Sequence, residues 1–145
     1  MILLTAFFLR LFPIRIAHFW DETAYLQHAE IFFLGVDNFN EFAFRPPFLP
    51  VLFFLSFFIF HSPISASILT ALIGASGSLV IYLIGKKVFN EVTGIMSGLM
   101  FAFSPFIILN SNYLLTDVPA VIFGAVAFYL ALFKENKLRV YPYRF

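Results

Sequence analysis

Cysteine is missing from this chain of 145 residues, and charged residues are scarce, at 12% of the composition. Without cysteine the protein has no disulfide, no thiolate metal site and no cysteine nucleophile. The net charge is only +1, and the few Lys and Arg residues form no basic stripe of the kind that nucleic-acid binding requires. We therefore expect no nucleic-acid partner.

Apolar residues, in contrast, make up 61% of the chain, and the mean hydropathy is +0.93. A soluble domain is about half apolar, and a small one leaves much of its surface in contact with water. A soluble chain of this size could not hide so much apolar surface, whereas a lipid bilayer removes the need to hide it. We therefore predict an all-α integral membrane protein with membrane lipid as a partner.

Long apolar stretches between the few charges predict the spanning helices, since a span needs about 20 mostly apolar residues. Three such stretches, at 64–85, 92–109 and 118–133, are predicted transmembrane helices. The apolar run Met1–Leu9 is soon followed by Arg10, so residues 1–19 are predicted to be a truncated first helix. The expected architecture is a polytopic bundle with about four transmembrane helices.

We predict that residues 20–63 form an outer loop that carries two shorter, juxtamembrane helices. The first would run from about Glu22 to Leu34 and end at Gly35. Its apolar spacing places Tyr25, His28 or Ala29, and Phe32 on one face. The second, Phe48–Phe60, is apolar but too short to span a bilayer, which favours an interfacial position.

The positions of Lys and Arg predict the orientation, because cytoplasmic loops are rich in these residues. Lys86, Lys87 and the basic tail at 134–145 should be cytoplasmic. If Phe48–Phe60 does not cross the membrane, Asp21 and Asp117 both lie on the extracytoplasmic side. We therefore predict a multi-pass protein of the cell membrane with its acidic motifs outside.

Small residues recur at a spacing of four within the predicted spans. Such pairs let two helix backbones approach closely in lipid. The pairs predict helix contacts, although Gly and Ala are also simply common in membrane helices. They are Ala71 with Ala75, Gly74 with Ser78, and Gly94 with Gly98.

Two acidic positions have both a structural and a functional interpretation. Asp21 could be a helix N-cap, with Glu22 favouring the helix dipole. Thr116 or Asp117 could likewise cap a helix that starts at Val118. A carboxylate at the mouth of a membrane helix is, however, also a candidate functional group.

Other polar side chains in the outer loop are less specific signals. His28 and His61 could bind metal, but lone histidines usually do not. Arg45 precedes Pro46-Pro47, where it could pair with a lipid phosphate or serve as an ordinary interface anchor.

Taken in order, five short motifs resemble the N-terminal part of the GT-C glycosyltransferases. The closest group is the superfamily of dolichyl-phosphate-mannose protein mannosyltransferases and aminoarabinose transferases. No single motif is specific, but their order and spacing together are. The motifs are Asp21-Glu22 with Tyr25, Arg45-Pro46-Pro47, Gly85-Lys86-Lys87-Val88-Phe89, Ser104-Pro105 and Leu115-Thr116-Asp117.

The resemblance implies an enzyme that takes a sugar from a polyprenyl-phosphate carrier and passes it to an acceptor outside the cytoplasm. It implies that Asp21 acts as the base or orients the acceptor, with support from Glu22. Asp117 would be the second acidic residue of the site, and Arg45 would contact the lipid phosphate. Tyr25 and His28, on the first juxtamembrane helix, are further candidates for substrate binding.

The resemblance also sets limits on the expected activity. Members of the family are longer, so we expect this chain to be part of a module: a fragment, a split gene product or a decayed copy. A second chain could complete it. Metal-using members can have an acidic residue directly before the basic-Pro motif, where this chain has Phe44, so we predict no bound metal and no other cofactor. The alternative function is a small non-enzymatic membrane subunit or transporter fragment.

Overall fold

Seven α-helices and no strand are found in the part of the chain that the structure, a computed structural model, describes: residues 1–11, 20–35, 46–60, 62 and 64–138. This confirms the all-α prediction for the described residues. In chain order the helices are α1 (Ile2–Leu11), α2 (Trp20–Leu34), α3 (Phe48–Phe60), α4 (Ile64–Val88), α5 (Glu91–Phe103), α6 (Pro105–Asn110) and α7 (Asp117–Leu138).

The central helix is α4, which has 25 residues and packs against α1, α3, α5 and α7. Among the described residues it is the one helix that is both long and apolar enough to cross a membrane. The predicted helix at 64–85 is therefore found, and it continues for one turn, through Lys86 and Lys87. The other apolar helical stretches are shorter, including Asp117–Leu132 within α7, so the structure supports a membrane helix but does not establish four spans.

The second predicted span is not one helix, and in this respect the prediction was wrong. The chain is helical from Glu91 to Phe103, leaves the helix at Ser104 and becomes helical again from Pro105 to Asn110. Ser104 has an extended backbone, with φ −62° and ψ 115°. Proline explains the break, because it lacks the N–H that would continue the helix and disfavours helical geometry in the preceding residue.

The third predicted span corresponds to α7, which begins at Asp117 and has Pro119 in its first turn. Proline is favoured there because the first amides of a helix have no partner within it. The helix continues to Leu138, so it extends into the segment that was predicted to be a cytoplasmic tail. Residues 139–145 lie outside the described part of the chain.

Both shorter helices form where the sequence places them. The bounds of α3 are those predicted, and α2 ends at Leu34, before Gly35 with a φ of 67°. Glycine adopts this left-handed conformation without strain, which makes it a common helix terminator. Because α2 begins at Trp20, Asp21 lies within its first turn, and the N-cap interpretation of Asp21 was wrong.

Small residues form the contact between α4 and α5, as their spacing predicts. A Cβ atom added to Gly94 would lie 2.7 Å from the backbone oxygen of Tyr82 and 2.7 Å from the backbone nitrogen of Lys86. One added to Gly98 would lie 3.0 Å from the oxygen of Ser78. The two backbones are thus in direct contact, which only glycine permits at these positions.

A pair of glycine variants tests this contact. We expect Gly94→Ala to lower the free energy of unfolding, because its methyl group would force two tightly packed backbones apart, at a cost of about 1–3 kcal/mol. Gly124→Ala is the matched control, since a Cβ there meets nothing within 4 Å. Alanine should stabilise that exposed helical position by roughly 0.5–1 kcal/mol. Thermal unfolding in detergent should shift in opposite directions for the two variants. If neither variant lost stability, the close packing of α4 against α5 would be contradicted.

Candidate active site

A pocket of about 430 Å³ lies between the N-terminal turn of α2 and the segment that connects α6 to α7. Two of the residues that line it are acidic, two are polar and one is apolar. They are Asp21, Glu22, Asn110, Tyr113 and Leu115. The chain thus brings together one of its acidic motifs and a polar segment that follows it by about ninety residues.

Glu22 forms the link between these two parts of the chain. Its carboxylate oxygen Oε1 accepts a hydrogen bond from the backbone N–H of Leu114, at 3.0 Å. Both residues are fully buried. A hydrogen bond to an ionised carboxylate is stronger than one between neutral groups. The bond therefore fixes the connecting segment against the first turn of α2.

The same bond brings both acidic motifs to one end of the structure. Asp21 is exposed and lines the pocket, next to Glu22 in the chain. Asp117 follows Leu114 by three residues and is exposed at the start of α7. It is not among the residues that line the pocket. The lysine pair at the far end of α4 lies at the opposite end of the bundle, because α5 begins there and returns toward the pocket.

Arg10 of α1 forms a second contact with the connecting segment. The guanidinium Nε donates a hydrogen bond to Oγ of Ser111 at 3.3 Å, and a terminal nitrogen donates to the backbone oxygens of Ala6 at 2.8 Å and Ala102 at 3.4 Å. Arg10 has no exposed surface, and Ser111 has 1%. A buried cation therefore contacts this segment at Ser111, three residues before the point where the buried carboxylate of Glu22 contacts it.

Comparison with protein families shows to which family the chain belongs. The family model described as dolichyl-phosphate-mannose-protein mannosyltransferase matches residues 44–143, more than half of the chain. The chain belongs to this family. The matched residues include α3 to α7 and Asp117, whereas Asp21 and Glu22 precede them. Comparison with curated proteins and with solved structures found no match.

Membership confirms the resemblance to membrane glycosyltransferases of the GT-C type. Of the two acidic residues that line the pocket, Asp21 is exposed. Glu22 is buried and already bonded to Leu114, so it is suited to holding the site together.

Tyr25 and His28 lie on the buried face of α2, where their exposed fractions are 5% and 2%. Tyr25 packs in an apolar cluster with Leu49 and Phe53 of α3. Neither residue lines the pocket. Their predicted role in substrate binding stays a prediction, as does that of Arg45, which lies outside the described residues together with His61.

Among the described residues, no group of three or more His, Asp and Glu side chains is placed to hold a metal ion. In the pocket, one carboxylate oxygen of Glu22 already accepts a hydrogen bond from the backbone N–H of Leu114.

Three residues at or next to the pocket were not singled out from the sequence: Arg10, Asn110 and Tyr113. Arg10 entered only as the charge that follows an apolar run. A signal was present in the polar run 110–113, which directly precedes the Leu-Thr-Asp motif. For Arg10 the sequence offers only a lone cation beside an apolar helix, which does not indicate whether the side chain faces inward.

Proposed function

We propose that this site transfers a sugar from a polyprenyl-phosphate carrier to an acceptor on the extracytoplasmic face of the membrane. The observation that carries the proposal is the hydrogen bond from Leu114 to Glu22, which joins the first acidic motif to the segment that leads to Asp117. Family membership supplies the class of reaction, and the pocket beside Asp21 supplies room for a substrate.

In the proposed reaction Asp21 acts as the general base. It takes the proton of an acceptor hydroxyl while the acceptor oxygen forms a bond to the anomeric carbon of the sugar. The bond between that carbon and the carrier phosphate breaks, and the polyprenyl phosphate leaves with the electron pair. A positioned base of this kind typically accelerates a reaction about 100- to 10,000-fold.

The leaving phosphate gains negative charge as the bond breaks, and a nearby cation would stabilise it. Arg45 is the candidate for this role by its place in the family motif. Asp117, which is exposed at the start of α7, would contact either the acceptor or the sugar. Glu22 acts through Leu114 and orients the pocket without touching a substrate.

The class of donor is tested with membranes that contain the full chain and their endogenous acceptors. Labelled mannose is supplied either on a polyprenyl phosphate or on a nucleoside diphosphate. We expect label to enter the acceptor from the polyprenyl-phosphate donor only. Equal transfer from the nucleotide sugar, or transfer from that donor alone, would overturn the proposed donor class.

The proposed sidedness is tested by single cysteines, for which a chain without cysteine is well suited. Thr23 lies beside the pocket on α2, and Phe89 lies after α4 with 72% of its surface exposed. In intact cells we expect a membrane-impermeant maleimide to label Thr23→Cys, and Phe89→Cys only after permeabilisation. Labelling of both from the same side would show that α4 does not separate the two faces.

A further inference from the structure

Arg10 is a buried cation in a part of the molecule where burial is costly. A guanidinium removed from water loses several kcal/mol of hydration, and only good hydrogen bonds can offset that loss. No carboxylate bonds to it within the described residues. A buried guanidinium depends on its hydrogen-bond partners, so the contacts of Arg10 indicate what it is for.

Those contacts join three elements at one point. Arg10 lies in the last turn of α1, bonds to Ala102 near the end of α5, and bonds to Ser111, where the segment that connects α6 to α7 begins. Ser111 in turn donates its hydroxyl hydrogen to the oxygen of Ile107, at 2.6 Å. The guanidinium therefore fixes the start of the segment relative to the helices on which it rests.

The central helix leaves room for this contact at Gly74. A Cβ atom added there would lie 2.7 Å from Cβ of Ser111 and 3.1 Å from Nε of Arg10. The first approach is closer than real Cβ atoms come, and the second is tighter than most real Cβ contacts. Because Gly74 has no side chain, Arg10 and Ser111 can meet against the surface of α4. The contact therefore depends on three separate parts of the sequence.

Two buried charges consequently hold the same short segment, Arg10 at Ser111 and Glu22 at Leu114. Tyr113, which lines the pocket, lies between these two attachment points, and Asn110 directly precedes the first. We infer that Arg10 is a positioning residue of the site: from the side of α1 it fixes the pocket wall that Glu22 fixes from the side of α2. Arg10 itself does not line the pocket.

Hydrogen exchange on the full chain in lipid nanodiscs tests the inference without any assay of activity. In Arg10→Met, which keeps an unbranched side chain as far as the position of Nε but loses the donors, we expect the amides of residues 111–116 to exchange about tenfold faster, the size expected for one lost charge-assisted hydrogen bond. Arg10→Lys should recover part of the protection, because it retains a charged donor. Lys87→Met, which removes an exposed cation at the far end of α4, is the control and should leave this segment unchanged.

A second variant keeps the test decisive if Arg10→Met does not fold. Ser111→Ala removes one partner of the guanidinium without removing the cation, and it should also speed exchange in 111–116. Unchanged exchange in the segment would overturn the inference. So would a uniform increase over all helices, because that would show a general loss of stability with no specific effect on the pocket wall.

The effect on catalysis rests on the proposed function and is measured separately. If the chain transfers sugar, Arg10→Met should lower kcat about tenfold and change KM for the polyprenyl-phosphate donor little, since Arg10 does not reach the pocket. Arg10→Lys should restore part of kcat. A raised KM with unchanged kcat would contradict a positioning role. Absence of transfer in the unaltered chain would refute the proposed function and leave the exchange result to decide the role of Arg10.

Discussion

Replacing Asp21 by Asn is expected to lower sugar transfer by about 100- to 10,000-fold, the range over which a positioned general base contributes. Asparagine has nearly the shape of aspartate but cannot take the proton of the acceptor hydroxyl. Asp21 is exposed at the pocket, so the substitution should leave the fold intact. The loss should therefore appear in the rate of the chemical step and not in the amount of folded protein.

The measurement is the initial rate of transfer from labelled polyprenyl-phosphate mannose, normalised to the amount of chain in the membrane. Glu30→Gln is the matched control, because Glu30 is an exposed carboxylate on the same helix that does not line the pocket. It should transfer at the unaltered rate. If Asp21→Asn also retained full activity, Asp21 would not be the base.

Local features of the sequence predicted the helices well. The bounds of α3 depend on an apolar run between Pro47 and His61, and the end of α2 depends on Gly35, whose conformational freedom suits a helix terminus. The contact between α4 and α5 could also be predicted from a local signal. The spacing of Gly94 and Gly98 indicates a helix contact without any information about the partner helix. In each case the signal lies within one short segment.

The break at Ser104 was missed although its cause is also local. Proline at position 105 was noted as part of a family motif, but the apolar run on both sides suggested a continuous span. Apolar length indicates that a segment prefers lipid, and it does not indicate whether the backbone stays helical throughout. Preference for lipid and continuity of the helix therefore have to be judged separately. Here the missing N–H of proline determines whether the helix continues.

The polar contacts of the site could not be predicted in this way. Glu22 bonds to a residue 92 positions away, and Arg10 to one 101 positions away. Such pairs depend on how α1 and α2 pack against the segment after α6, which no periodicity within a helix encodes. The sequence indicated that Glu22 belonged to the site, but the expected role, a favourable charge near a helix N-terminus, is only part of what it does.

The role of Glu22 leads to the second large effect. Glu22→Ala is expected to lower the free energy of unfolding by about 1–3 kcal/mol, because the backbone N–H of Leu114 would be left buried without its acceptor. Sugar transfer should fall with it, since the wall of the pocket would no longer be fixed. Glu22→Gln keeps a carbonyl oxygen at the same place, so it should retain most of the stability and most of the activity. Thermal unfolding in detergent and the transfer assay, applied to the same preparations, measure both quantities.

Comparison of Glu22→Ala with Glu22→Gln shows whether Glu22 serves only as a hydrogen-bond acceptor or reacts as a carboxylate. A hydrogen bond to Leu114 requires an oxygen but not a negative charge, whereas proton transfer requires the carboxylate itself. Glu30→Ala, which truncates an exposed side chain on the same helix, should change neither quantity. If Glu22→Gln were as inactive as Asp21→Asn while remaining stable, then Glu22 would take part in the chemistry directly, and the division of labour between the two neighbouring acids would have to be reversed.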